Sequence, residues 1–184
     1  MVIVNDDTRP DIESWTEFLK TSDLTGESFH GHSMRFYANA LFEPHYADVF
    51  TRYFDALAKQ PEEGGDRPML VHCMGGKDRT GMLCALTHTL LGVHKDDVIA
   101  DFLLTNDEAR FEREGPYFQA FIQEELGRAP TLEALRVAMG VEAAWLEAAF
   151  ASAIEKCGSV EGYLEKGLGV NAAKREAIEA RLLT

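Results

Sequence analysis

Cys73 and Arg79 carry the side chains in this sequence with the clearest chemical use, and five residues separate them. They lie in a glycine-bearing stretch, H-C-M-G-G-K-D-R-T-G, running from His72 to Gly81. A loop of that length can curl so that sulfur and guanidinium converge on one centre while successive backbone N–H groups turn inward as an anion-binding nest. A phosphate monoester fits such a centre. A cysteine thiol ordinarily titrates near 8.5, but nearby cations or a helix N-terminus lower it to roughly 3.5–7.5. Cys73 is therefore expected to be a thiolate nucleophile that takes the phosphoryl group as a cysteinyl-phosphate, which water then hydrolyses. Arg79 offers a planar fork to two phosphoryl oxygens, a geometry lysine does not supply.

The residues between and around these two have their own expected parts. Met74, Gly75, Gly76, Lys77, Asp78 and Arg79 would form the phosphate cradle, with Gly75 and Gly76 allowing positive φ and close approach of the backbone to the anion. Thr80 can donate a hydroxyl hydrogen bond to the thiolate, and His72 can brace the loop through its ring nitrogens. Asp78 is the unusual member, since a carboxylate in an anion cradle is unfavourable unless it carries or moves a proton. It is the candidate general acid and base, making Cys73, Asp78 and Arg79 the candidate catalytic set. Lys77 supplies a second cation, useful for a substrate with more than one phosphate.

The elements needed to position this loop can be read on either side of it. Met69, Leu70 and Val71 after Pro68 read as a short strand, and Thr80-Gly81 opens an apolar helix from Met82 to Leu91. The first-turn N–H groups of such a helix have no intrahelical partner, and its dipole places partial positive charge at the phosphate. The nucleotide-binding pattern G-x-x-x-x-G-K-[ST] does not fit, because Asp78 follows Lys77. No metal and no cofactor is required by this chemistry.

The loop resembles the signature H-C-x-x-G-K-D-R-T-G of the atypical bacterial tyrosine phosphatases with triple specificity. The segments G-V-H-K-D-D-V-I-A-D-F-L-L-T-N (92–106) and C-G-S-V-E-G-Y-L-E-K-G-L-G-V (157–170) are similar to those that follow the loop and close the chain in that family. The resemblance covers roughly residues 40–184. It implies Cys73 as nucleophile, Arg79 as phosphate ligand, Asp78 as an essential carboxylate, and a lysine at Lys77 that accompanies phosphoinositide activity. Substrates would be phosphotyrosine, phosphoserine or phosphothreonine, and phosphoinositides. Proteins of the family usually begin with an R-D-L-G-G-like segment and reach a D-L-R-S-like motif before the region where this chain starts. Neither is visible, so the expectation is a fragment, a shortened form, or a chain whose remaining strands come from a partner. The competing reading of the same loop is a catalytically weak phosphate-binding or interaction module.

At 184 residues the chain is expected to be a single domain of α/β class, a phosphatase-type sheet flanked by helices, with the sheet incomplete and the C-terminal half strongly helical. The formal net charge of −13 and the lack of a basic stretch argue against nucleic acid as a partner and oppose polyanionic lipids. There is no run of 18 apolar residues, so no integral membrane segment is expected. The start, M-V-I-V-N-D-D-T, lacks the pattern of a signal peptide, and a cytoplasmic location is expected. Oligomeric state is open. Cys73, Cys84 and Cys157 are an odd set at unrelated spacings, which suits reduced thiols.

Elsewhere the pattern predicts a strand at 2–4, a helix over 11–20 carrying Ile12, Trp15, Phe18 and Leu19, and a loop over 21–33. His30 and His32 in that loop have no third ligand near in sequence, so exposed loop histidines are favoured over a metal site. Asp6, Asp7, Asp11 or Asp23 could serve as a mobile general acid, with no motif to choose among them. A helix over 45–59 precedes the charged loop P-E-E-G-G-D-R-P. Beyond Gly92 the periodicity predicts helices over 95–104, 107–126, 131–138, 141–156, 159–167 and 172–183, with breaks that include Pro116. The region 107–140 sits where the family carries a two-helix lid, and Tyr117, Phe118, Phe121 and Ile122 are its pocket-facing candidates.

Overall fold

The computed structural model describes residues 15–59, 62 and 68–183. Ten helices account for all the regular structure among them: α1 (Trp15–Thr21), α2 (Gly26–Ala40), α3 (Pro44–Leu57), α4 (Asp78–Leu90), α5 (Lys95–Leu103), α6 (Glu108–Leu126), α7 (Leu132–Met139), α8 (Ala143–Cys157), α9 (Val160–Lys166) and α10 (Ala172–Leu182).

The expected α/β sheet is therefore corrected to an all-helical architecture over the described residues. Residues 68–73 carry no secondary structure and have no strand to pair with among the described residues. A strand needs a ladder partner for its N–H and C=O groups and a face to bury. Here Leu70 is 90% exposed, and of the apolar run that reads as a short strand only Val71 packs against the core. The strand expected at 2–4 lies outside the described residues.

Local signals place the helix starts. Thr25, Asp107, Thr131, Ser159 and Asn171 each stand at an N-cap and accept a hydrogen bond from a first-turn backbone N–H. The helix expected from Met82 to Leu91 begins earlier, at Asp78, and two other regions differ more. The stretch 21–33, rich in Ser, Gly and His, mostly enters α2 instead of a loop, because Phe29, His32, Tyr37 and Ala40 recur at helical spacing and are buried. Pro116, expected to break a helix, lies inside α6. It removes one backbone donor there, and the helix continues on through Phe118 and Ile122.

The main core gathers around α8, whose Trp145, Leu146 and Ala149 are fully buried. It joins α2, α3, α4, α5 and α9 through Tyr37, Phe54, Leu86, Phe102 and Leu164. A second cluster packs α1 and the start of α2 against α6 and α7, with Phe18, Phe29, Ile122 and Leu135 at its centre. The stretch Leu132–Cys157 is apolar and long enough to cross a membrane by composition. It is divided at Gly140 into α7 and α8, and its apolar faces make up much of both cores. The loop bearing Cys73 enters where these two clusters meet.

Candidate active site

Asp78, Arg79 and Thr80 form the first turn of α4, and the helix behind them is anchored by Met82, Leu83, Ala85, Leu86 and Leu90, all buried. The N-cap position, Lys77, makes no side-chain capping bond. The first-turn N–H groups are thus left for an anion, the arrangement that favours phosphate at a helix N-terminus. Gly81 lets this turn sit close to α5: a Cβ there would come within 2.8 Å of the Phe102 ring. Of the paired glycines only Gly76 has positive φ, at 66°, so the left-handed conformation that L side chains avoid is needed there and not at Gly75.

Cys73 lies against this helix start. Burial pushes its thiol up, but the Thr80 hydroxyl and N–H, the Arg79 guanidinium and the Gly76 N–H together draw it below the ordinary thiol range. The Thr80 hydroxyl is buried and makes no hydrogen bond with the described residues, so the Cys73 thiolate whose titration it lowers is the anion it can serve. Arg79 makes no hydrogen bond or ion pair with the described residues; its guanidinium carbon sits 5.8 Å from the centre of the Tyr46 ring. Arg79 is half-buried, and donors left uncommitted beside a low-pKa thiol suit an oxyanion.

The other loop residues are distributed unevenly. Asp78 Oδ1 accepts the Tyr37 hydroxyl at 3.0 Å and lies 3.6 Å from Lys77 Nζ. Lys77 does not stretch into open space. Its ammonium donates to the carbonyls of Ala138 at 2.7 Å and Gly140 at 2.9 Å. Burial lowers its pKa, opposed by the Asp78 carboxylate. Met74 is 88% exposed at the rim. His72 is exposed, and its Nδ1 lies 3.2 Å from the neighbouring Cys73 carbonyl.

Above the loop opens a cleft of about 780 Å³, within the size of small-molecule sites. Cys73, Asp78 and Arg79 contribute to its floor. Trp15, Phe36 and Tyr46 wall one part, and Tyr117, Phe118 and Phe121 from α6 wall another. Of the four aromatic and aliphatic candidates in α6, Ile122 alone turns away, fully buried in the second cluster.

Arg110 and Tyr37 also belong to the site, and nothing in the motif pointed to either. Arg110, on α6, donates to the Gly75 carbonyl at 3.2 Å and pairs with Glu114 at 3.0 Å. Its distance from the loop in sequence hides that contact. His30 and His32 diverge within α2: His30 binds Glu142 at 3.0 Å, and His32 is buried and stacked on Phe18 at 4.1 Å. They are helical residues, not the exposed loop histidines expected. Asp23 accepts from the Thr25 N–H at 3.0 Å and from its hydroxyl at 2.8 Å, and forms no part of the cleft wall. Asp6, Asp7 and Asp11 lie outside the described residues.

A model of the tyrosine phosphatase family matches residues 8–184. The chain belongs to the tyrosine phosphatase family. Among similar proteins, one from Cupriavidus necator, provisionally named a tyrosine-protein phosphatase, is 31% identical over 70% of this chain and 46% of its own length. The triple specificity protein phosphatase PtpB of Mycobacterium tuberculosis is 34% identical over 64% of this chain and 44% of its own length. Human receptor-type tyrosine-protein phosphatase alpha is 40% identical over a shorter stretch, 32% of this chain and 7% of that protein. The chain thus spans less than half the length of the two bacterial phosphatases it matches.

Proposed function

We propose that this member of the tyrosine phosphatase family is a cysteine-dependent phosphomonoester hydrolase whose preferred substrate carries one phosphate on an aromatic or similarly flat group, as in phosphotyrosine. The observation that carries the reading is the pairing, in the lining of one aromatic cleft, of a thiol held below its usual range with a guanidinium that makes no hydrogen bond or ion pair to a carboxylate among the described residues. Arg79 and the first-turn N–H groups of α4 bind the phosphoryl oxygens and hold them as charge redistributes. Cys73 Sγ attacks phosphorus, and an Sγ–P bond forms as the ester P–O bond breaks. Asp78 gives its proton to the departing oxygen. Water then attacks the cysteinyl-phosphate and passes a proton back to Asp78, and the thiolate leaves with inorganic phosphate as the product.

PtpB is named for triple specificity, and phosphoserine, phosphothreonine and phosphoinositides remain within this proposal as further substrates. The lipid part had rested on Lys77 as a second free cation. With that ammonium bound to two backbone carbonyls, and Arg110 engaged by Gly75 and Glu114, Arg79 is the cation most open to a phosphate. This favours the aromatic monoester as first substrate. The α6–α7 pair is proposed as the lid over the cleft.

The test is turnover of para-nitrophenyl phosphate by the intact chain, with Cys73→Ser alongside and a rapid-quench search for phosphorylated Cys73. Turnover that vanishes in the variant, with phosphate trapped on sulfur in the parent, is the expected result. Binding of vanadate without any turnover would instead favour a phosphate-binding module, and turnover retained by Cys73→Ser would overturn the covalent route.

A further inference from the structure

Asp78 has two carboxylate oxygens, and the protein engages them unequally. Oδ1 accepts the hydroxyl of Tyr37 at 3.0 Å and faces the Lys77 ammonium at 3.6 Å. Oδ2 accepts no hydrogen bond from the described residues. A carboxyl that must carry a proton cannot readily place it on an oxygen already facing two donors, so the proton goes to Oδ2.

Tyr37 belongs to α2, far from the loop in sequence, and is fully buried. Phe36, Phe102 and Trp145 surround its ring with centroids 5.5, 6.0 and 5.9 Å away. These contacts leave the ring little room to swing, and the hydroxyl meets Asp78 from a fixed direction. Burial, reinforced by the Asp78 charge, pushes the Tyr37 hydroxyl far above the ordinary tyrosine range. It is a donor at neutral pH.

We infer that Tyr37 is a positioning residue for the reaction: its hydroxyl fixes the Asp78 carboxyl so that the transferable proton is carried on Oδ2, the oxygen that no described residue engages. The inference rests on the proposed role of Asp78 as general acid, and it adds a residue from outside the motif. Tyr37 touches neither substrate nor phosphorus. It acts through Asp78 alone.

The experiment compares phenyl phosphate, whose leaving group needs a proton, with para-nitrophenyl phosphate, whose leaving group needs one much less. Parent, Tyr37→Phe, Asp78→Asn and the double variant are assayed by steady-state kinetics. A positioned acid is worth roughly 10²–10⁴-fold, so Tyr37→Phe should lower kcat on phenyl phosphate about tenfold more than on para-nitrophenyl phosphate, with KM little changed. In the Asp78→Asn background the same replacement should add no further leaving-group dependence. Equal losses on both substrates for Tyr37→Phe, beside unequal losses for Asp78→Asn, would overturn the inference while keeping the acid assignment. Equal losses for Asp78→Asn would remove that assignment and this inference with it. Phenylalanine keeps the ring in its packing. Should the variant still fail to fold, NMR of the tyrosine hydroxyls in the parent and Asp78→Asn decides: a slowly exchanging Tyr37 hydroxyl that shifts in the variant supports the contact, and its absence in the parent overturns it.

Discussion

The ammonium of Lys77 donates to the Gly140 carbonyl at 2.9 Å, tying the loop that bears Cys73 to the junction of α7 and α8. A second bond to Ala138 at 2.7 Å makes this a two-point tether, mostly shielded from water. The loop is held from the other side by Arg110 of α6, through Gly75. The proposed phosphate cradle is therefore shaped in part by α6 and α7, which also line the cleft beside it.

Replacing Lys77 should consequently act on the loop as a whole. Lys77→Met keeps the apolar stem but leaves two carbonyls without their donor and Asp78 without its nearest cation. Hydrogen bonds to charged groups are worth about 1.5–3 kcal/mol, so a loss of about 2 kcal/mol in stability is expected from thermal or urea unfolding. Hydrolysis of phosphotyrosine peptide and of a phosphoinositide should fall by similar factors. A selective collapse of lipid hydrolysis would show instead that the ammonium turns to the substrate.

The low thiol pKa of Cys73 gives a pH prediction with a definite sign. Its folded-state value lies below that of a free cysteine, because Thr80, Arg79 and Gly76 outweigh the opposing burial. The stabilisation from this group is present above the unfolded thiol pKa and is lost as pH falls through the lower folded value. The rate of alkylation by iodoacetamide should accordingly reach half its plateau at a pH below that of free cysteine. Thr80→Val removes a hydrogen bond to the thiolate. It should move that midpoint upward and lower kcat/KM at neutral pH roughly tenfold, the equivalent of a charged hydrogen bond at the low end of its range. An unmoved midpoint would place the Thr80 hydroxyl elsewhere.

Much of the helical half was legible because its signals are local. Thr131, Ser159 and Asn171 announce helix starts a few residues ahead of apolar stripes, and α7, α9 and α10 begin there. The loop was legible for the same reason, since Cys73 and Arg79 are held together by a short turn and a helix end. The sheet was misread because Met69, Leu70 and Val71 have strand composition, while a strand also needs partners that composition cannot reveal. In α2 the polar residues Ser28, His30 and Ser33 concealed a stripe that buries Phe29, His32 and Tyr37. Tyr37 and Arg110 reach the site only through the packing of α2 and α6, contacts between residues 41 and 35 positions apart. No short window contains both ends of either one.

Gly81 should prove as intolerant as the loop itself. A methyl group there would stand 2.8 Å from the Phe102 ring, and that ring is 3% exposed within the main core. The first turn of α4 or the ring must then move, at a cost typical of overpacking, about 1–3 kcal/mol. Because the same turn carries Arg79 and Thr80, Gly81→Ala should weaken inhibition by vanadate as well as lower the unfolding midpoint. Phe102→Leu, which shortens the opposing side chain, should restore part of both losses in the double variant. Independent, additive effects of the two replacements would mean that the predicted clash is relieved elsewhere.

The aromatic wall from α6 makes a last prediction, about where substrate preference resides. Tyr117 is 78% exposed and Phe121 53% exposed, although both border the cleft. Apolar surface left open beside a phosphate site suits a flat substrate group that covers it on binding, gaining roughly 25 cal/mol per Å² of area removed from water. Neither side chain reaches the phosphoryl centre in sequence or by hydrogen bond, so each should act on binding of the organic group and leave the chemical step alone. Tyr117→Ser with Phe121→Ser should raise KM for a phosphotyrosine peptide about tenfold, equivalent to about 1.4 kcal/mol of lost contact, with kcat and inhibition by inorganic phosphate little changed. The same pair should alter KM for a small substrate such as methyl phosphate hardly at all, because that molecule cannot reach the wall. A fall in kcat on both substrates would instead give α6 a part in shaping the loop, through the Arg110 contact to Gly75.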